Sequence, residues 1–173
     1  RVFAFNPAGQ FQGATPALLG MARGDHLLVA NDTEMARMPP QVRITPAGRF
    51  VSRLALDSAG KEVLVLDYDA SISLHPVTKG TAKERRAERL ASASAQDNRI
   101  SFGCINVPVP FYATFVSPAF AGTKGIVYVL PETSPASELF GMHPGGAAVS
   151  GAPQSSKTST APAARTVLPP GRE

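Results

Sequence analysis

Arg49-Phe50-Val51-Ser52-Arg53-Leu54-Ala55-Leu56 alternates polar and apolar side chains with period two, the mark of a strand buried on one face only. Ser58-Ala59-Gly60 turns the chain, and Lys61 to Leu74 supplies one or two further strands built around Val63, Val65 and Tyr68. Upstream, Val2-Phe3-Ala4-Phe5 ends in the turn cluster Asn6-Pro7-Ala8-Gly9, and Gln10 to Met21 returns as a second strand, so a hairpin is expected. Residues 24–43, with Pro39-Pro40, read as a long loop. Downstream, Ile126-Val127-Tyr128-Val129-Leu130 is expected as a final buried strand that Pro131 ends. Two short helices interrupt this pattern. Thr81 to Ala91 is charged and rich in good helix formers, with Glu84 and Glu88 spaced for one face. A second runs from about Pro108 to Val116, with proline tolerated in its first turn and Pro118 limiting its length. The fold class is therefore mostly β with one or two short helices.

The chain has 173 residues, 43% of them hydrophobic and 17% charged, which suits one packed domain. Residues 134–173 hold six Pro, many Ala and Ser and five charged residues, too little apolar surface to offset the entropy of ordering. The folded domain is expected over 1–133, with a disordered Pro/Ala/Ser-rich tail over 134–173. The domain carries 14 Lys/Arg against 11 Asp/Glu, and its one basic cluster, Lys79 to Arg89, also contains Glu84 and Glu88. That is no nucleic-acid footprint, because a basic stripe interleaved with aromatics is missing. A pI near 9.6 favours an anionic neighbourhood such as a cell wall or membrane surface. No run approaches the length of a membrane span. The chain opens on Arg1 rather than Met, from which a mature or trimmed form is expected.

Chemistry concentrates in Arg99-Ile100-Ser101-Phe102-Gly103-Cys104-Ile105-Asn106-Val107-Pro108. A single cysteine rules out an intrachain disulfide and multi-cysteine metal sites, and three histidines leave little for a metal, so no cofactor is expected. A glycine beside the cysteine lets a substrate backbone approach, turn amides can face an oxyanion, and a following helix lowers a thiol pKa. Such a nucleophile needs a base, and His26 and His75 are the two candidates within the expected domain. His75 closes Ser71-Ile72-Ser73-Leu74-His75, while His26 sits beside Asp25 in a loop and reads as a surface residue. Spacing leaves a second account open, in which the cysteine is a small buried hydrophobe and the histidine a surface group. Tyr68, between Asp67 and Asp69, reads as core or cross-strand packing with the two aspartates facing outward.

Ser101-x-Gly103-Cys104-Ile105-Asn106 resembles the signature of the L,D-transpeptidase catalytic domain (YkuD-like), a Ser/Thr-His-Gly-Cys-x-Asn/Arg box preceded by an upstream histidine. Thr45-Pro46-Ala47-Gly48-Arg49-Phe50 looks like that family's Thr-Pro-x-Gly-x-Phe element, and Gly125 to Leu130 follows the post-cysteine helix as the family requires. The resemblance covers residues 1–133 and implies a β-sandwich or barrel. Two positions depart from it: Phe102 replaces the histidine before Gly-Cys, and His75 lies 29 residues upstream of Cys104, a longer interval than usual. Residues 78–97 look like an inserted charged helix and loop that accounts for the longer interval.

The resemblance implies that Cys104 is the nucleophile and His75 the base, with the Pro76 carbonyl orienting the imidazole and the Gly103 and Cys104 amides forming an oxyanion hole. Ser101 and Asn106 would order the loop or hold substrate polar groups, and Phe102 would pack on the cysteine loop or wall the pocket. Arg99 would meet a stem-peptide carboxylate, or else be a solvated strand-end charge. The inserted helix would be a solvated cap or a lid. The implied substrate is a peptidoglycan stem peptide, the acceptor an amine, water or an envelope protein, and the location the periplasm or cell envelope. Two other readings stay open: a non-catalytic module on the same fold that binds peptidoglycan or an envelope protein, and an interaction protein working through its tail.

Overall fold

The computed structural model describes residues 1–28 and 37–141. The opening hairpin is present: β1 (Val2–Phe5) pairs antiparallel with β2 (Phe11–Thr15). Asn6 makes the turn, its Oδ1 accepting from the amides of Ala8 at 3.1 Å and Gln10 at 2.9 Å. The return strand is shorter than the expected Gln10 to Met21. Pro16 has no amide to donate, and past it β3 (Leu19–Gly20) leaves the ribbon to pair in parallel with β7 (Arg99–Ser101).

The period-two segment forms β4 (Gly48–Leu56), followed by β5 (Glu62–Asp67) and β6 (Ile72–Pro76) as antiparallel neighbours. With β8 (Ile105–Val107) and β9 (Lys124–Val129) they make a five-stranded sheet in the order β8-β6-β5-β4-β9. Only β6 and β8 run parallel, His75 standing opposite Asn106. Strand content exceeds helix, so the mostly β class holds. Leu64, Leu66, Ile72, Leu74, Ile105 and Val107 form the sheet's core face, and Phe111, Tyr112 and Val116 pack with them. Each such buried aliphatic side chain contributes about 2 kcal/mol of apolar burial. No helix among the described residues is long and apolar enough to cross a membrane.

Several local expectations are corrected. The helix expected from Thr81 to Ala91 is broken into a 3₁₀ turn (Ala82–Glu84) and α1 (Arg86–Ala91) by Arg85, which is left-handed at φ 46°. That conformation costs a non-glycine residue about 1–2 kcal/mol. Its own guanidinium pairs with Glu88. The helix expected to stop near Val116 runs on, from α2 (Val109–Phe111) through a π turn (Tyr112–Val116) into α3 (Ser117–Phe120). Pro118 lacks a donor and its ring crowds the carbonyl four residues back; the wider π turn just before it relieves both problems.

The strand β9 is half buried rather than buried. Val127 and Val129 turn inward, while Ile126, Tyr128 and Leu130 are exposed. Tyr68 is 79% exposed in the turn after β5, not packed in the core. The boundary expected at residue 133 also moves. The buried Asp25 carboxylate accepts from the amides of Glu132 (2.5 Å), Thr133 (3.2 Å) and Ser134 (2.9 Å) and from both of the latter's hydroxyls. Beyond this clasp α4 (Ala136–Phe140) lays Phe140 edge-on against Tyr128, with ring centroids 5.5 Å apart. The fold therefore continues at least to Gly141, and the rest of the expected tail, with His143, lies outside the described residues. In the loop expected over 24–43, Pro40–Val42 forms one 3₁₀ turn and His26 is exposed as expected; residues 29–36 lie outside the described residues.

Candidate active site

The parallel register of β6 and β8 decides which side chains meet. Leu74 stands beside Ile105 and both turn into the core, so the residues flanking them, Ser73 and His75 on one strand, Cys104 and Asn106 on the other, share the opposite face. Cys104 is half-buried at the mouth of β8. Its Sγ lies 3.5 Å from Ser73 Oγ and also 3.5 Å from the Ser71 carbonyl oxygen. The thiol donates to that carbonyl, whereas a thiolate accepts from the Ser73 hydroxyl. Ser71 is itself held left-handed at φ 55°.

His75 Nδ1 donates to the Pro76 carbonyl at 2.8 Å, the contact expected of that proline. A carbonyl only accepts, so the proton of the neutral ring sits on Nδ1 and Nε2 is left as the base. Burial, the largest single influence on His75, works against its charged form. The Cys104 side chain and the Pro76 carbonyl more than offset it, and the imidazole holds its proton above the ordinary value. Cys104 is the mirror case: burial opposes the thiolate, but His75, the Ser73 hydroxyl and the Ser73 amide outweigh it and lower the thiol pKa. The two groups thus drive each other toward a thiolate–imidazolium pair.

The loop that presents Cys104 is tied down from several sides. Ser101 Oγ donates to the Cys104 carbonyl at 2.6 Å and accepts from the Gly103 amide at 3.1 Å. Thr45 Oγ1 donates to the Gly103 carbonyl at 2.8 Å while accepting from the Gly20 amide at 2.9 Å. Gly103 sits at φ 139°, and a Cβ there would come 2.8 Å from both the Ile44 carbonyl oxygen and Ile72 Cδ1. Only glycine fits. Because its amide is taken by Ser101, the oxyanion role expected of Gly103 is not available in the resting site, and Cys104 is the remaining amide of the expected pair.

Asn106 and Ser101 take the loop-ordering one of their two expected roles, while Arg99 takes neither of its own. Asn106 is fully buried: its Nδ2 donates to the Cys104 carbonyl at 3.3 Å and lies 3.5 Å from His75 Nε2, so it orders the site rather than meeting substrate. Ser101 is likewise buried within the loop it closes. Arg99 is neither a substrate receptor nor a solvated charge. Its side chain is 8% exposed, pairs with Glu132 and donates to the carbonyls of Gly20 (3.3 Å) and Ala22 (3.2 Å). Phe102, half-buried, carries the Arg43 guanidinium 3.8 Å from its ring centroid, a cation–π contact. That partner is neither the cysteine loop nor an apolar pocket wall.

Sequence reasoning missed three residues. Ser73 was visible as the residue two before His75, on the same strand face. Thr45 lies in a recognised element, but its bond to Gly103 spans 58 residues. Arg86, in the inserted segment, donates from Nη1 to Asn106 Oδ1 at 2.8 Å, and no local pattern marks it.

No family model, curated protein or solved structure matches this chain.

Proposed function

We propose that this protein is a cysteine-dependent L,D-transpeptidase acting on peptidoglycan stem peptides in the periplasm or cell envelope. The observation that carries the reading is the Cys104–His75 pair, in which each group favours the charged form of the other. It is supported by the similarity of the cysteine box to that family and by a loop braced by Ser101 and Thr45.

In this scheme the Cys104 thiolate attacks the carbonyl carbon of the peptide bond that joins the L-centre of a diamino acid to D-alanine. The carbonyl electron pair moves onto oxygen, where the Cys104 amide faces the developing charge. As the pair returns, the C–N bond breaks and His75 Nε2 gives its proton to the departing D-alanine amine. The acyl-thioester is then attacked by an amine of a second stem, which loses its proton to His75, and the thiolate is released. Water in place of the amine gives carboxypeptidase activity from the same groups. No metal or cofactor takes part in these steps.

The test is the intact mass of the protein after incubation with a carbapenem, which acylates the cysteine of enzymes in the resembled family, beside Cys104→Ala. A stable adduct absent from the variant is expected. Its absence from folded wild-type protein would overturn the enzyme reading in favour of a non-catalytic peptidoglycan-binding or envelope-protein-binding module.

A further inference from the structure

We propose that Arg86 is a positioning residue of the Cys104–His75 pair: by donating to Asn106 Oδ1 it fixes which end of that buried amide faces the histidine. The inserted segment is then a built part of the site rather than a solvated cap or a lid. This rests on the reading of Cys104 and His75 as nucleophile and base.

A side-chain amide presents a donor at one end and an acceptor at the other, and the two ends have nearly the same shape. The Cys104 carbonyl only accepts and so favours the NH₂ end, but at 3.3 Å that bond is a long one. Arg86 secures the choice with a shorter, charge-assisted bond at 2.8 Å, because a guanidinium has donors and no acceptor and so draws Oδ1 toward it. The amide's NH₂ end is thereby turned to the Cys104 carbonyl at 3.3 Å and to His75 Nε2 at 3.5 Å. Facing a donor, Nε2 gains no support from Asn106 for its proton and so passes it on more readily to the departing amine. An amide turned the other way would offer Nε2 an oxygen and hold the imidazole protonated.

Arg86 is itself held from behind. Its Nε donates to Glu84 Oε2 at 2.5 Å, and its side chain is 13% exposed. Arg89 ties the same segment together, donating to the carbonyls of Glu84 at 2.9 Å and Asp97 at 3.0 Å. The left-handed Arg85 is what separates Glu84 from α1 and lets Arg86 begin that helix pointing at the sheet. Among the described residues, the charged or titratable groups that face His75 are Cys104 from the loop before β8 and Arg86 from α1, with Glu84 behind the arginine.

The experiment follows the His75 ring by NMR through a pH titration, with its signal identified by loss in His75→Gln. It compares wild type, Arg86→Met, Arg86→Lys, Asn106→Ala and the double variant Arg86→Met/Asn106→Ala. Two effects add in Arg86→Met: a nearby positive charge is removed, and the amide is freed to turn. The His75 midpoint should rise by about one pH unit, roughly tenfold in proton affinity. Without Asn106 only the charge effect is left, so the same substitution should move the midpoint clearly less. Arg86→Lys keeps a donor and a charge and should restore most of the wild-type value.

Equal shifts with and without Asn106, or no shift at all, would overturn the positioning role. If Arg86→Met fails to fold, Arg86→Lys and Arg86→Gln are compared in both backgrounds by the same criterion. None of these readouts uses a substrate. A protein that takes no carbapenem yet shows the coupled shift refutes the transpeptidase reading and keeps this one; the reverse pattern does the opposite.

Discussion

Replacing Arg99 with methionine separates a structural arginine from a substrate receptor. Methionine keeps most of the apolar stem, so the loss is confined to the guanidinium and its partners. Those are the Glu132 carboxylate, whose side chain is 26% exposed, and the carbonyls of Gly20 and Ala22. Breaking a fully buried ion pair costs about 3–5 kcal/mol. Water still reaches Glu132, which reduces that share to roughly 2 kcal/mol. The two carbonyl bonds are long and add about 0.5 kcal/mol each. The expected destabilisation is about 3 kcal/mol, a drop of about 1.5 M in the urea midpoint for a slope near 2 kcal/mol per M. Adding Glu132→Gln removes the orphaned carboxylate and should recover about half of it. The assay is urea unfolding followed by circular dichroism, beside the rate of carbapenem acylation under native conditions. An unchanged midpoint with acylation weakened at low ligand concentration would refute the assignment and return Arg99 to substrate recognition.

Four further outcomes are expected. Gly103→Ala must adopt a backbone conformation unsuited to alanine against a backbone carbonyl that cannot give way, so it should lose about 2 kcal/mol or more in urea unfolding and most Cys104 reactivity; wild-type stability would contradict the geometry. Alkylation of Cys104 by iodoacetamide should persist below the ordinary thiol value of 9.0, and His75→Gln should move its midpoint upward. The stability linkage has opposite signs for the two groups. The imidazole's contribution is full below 6.5 and is lost as pH rises through its raised value. The thiol's is present above 9.0 and is lost as pH falls through its lowered value, and a stability profile flat across both would contradict the pairing. Asp25→Asn should lower the thermal midpoint by loosening residues 132–134. The Thr133 hydroxyl, with the Glu132 amide and the Ser134 hydroxyl behind it, holds the Asp25 carboxyl far below 3.8, so wild type should keep this clasp well into acid; loss of the clasp near ordinary carboxylate pH would refute it.

The elements that local pattern encodes were legible. Period two marked β4, Asn6-Pro7-Ala8-Gly9 marked the first hairpin, and Ser58-Ala59-Gly60 marked the next turn, because each depends on residues within a few positions of one another. Cys104 and His75 stand out from residue chemistry as well as from the cysteine box, and the Pro76 carbonyl accepts from His75 Nδ1 as expected. Where local rules failed, a distant partner had intervened. Propensity favours one helix over Thr81 to Ala91, yet Arg85 is left-handed, and the residue after it reaches Asn106, twenty positions on. A proline marked the end of the second helix, and a π turn carried the chain past it.

The sequence by itself determined the mostly β class and the turns and marked Cys104 and His75 as the candidate pair, since alternation, turn chemistry and residue type are legible without the fold. Tertiary structure alone decided that Arg99 is buried against Glu132, that Thr45 braces Gly103 and that Arg86 reaches Asn106. A polar side chain chooses its partner by which buried donors and acceptors would otherwise go unpaired, and only the packed fold brings those groups within reach.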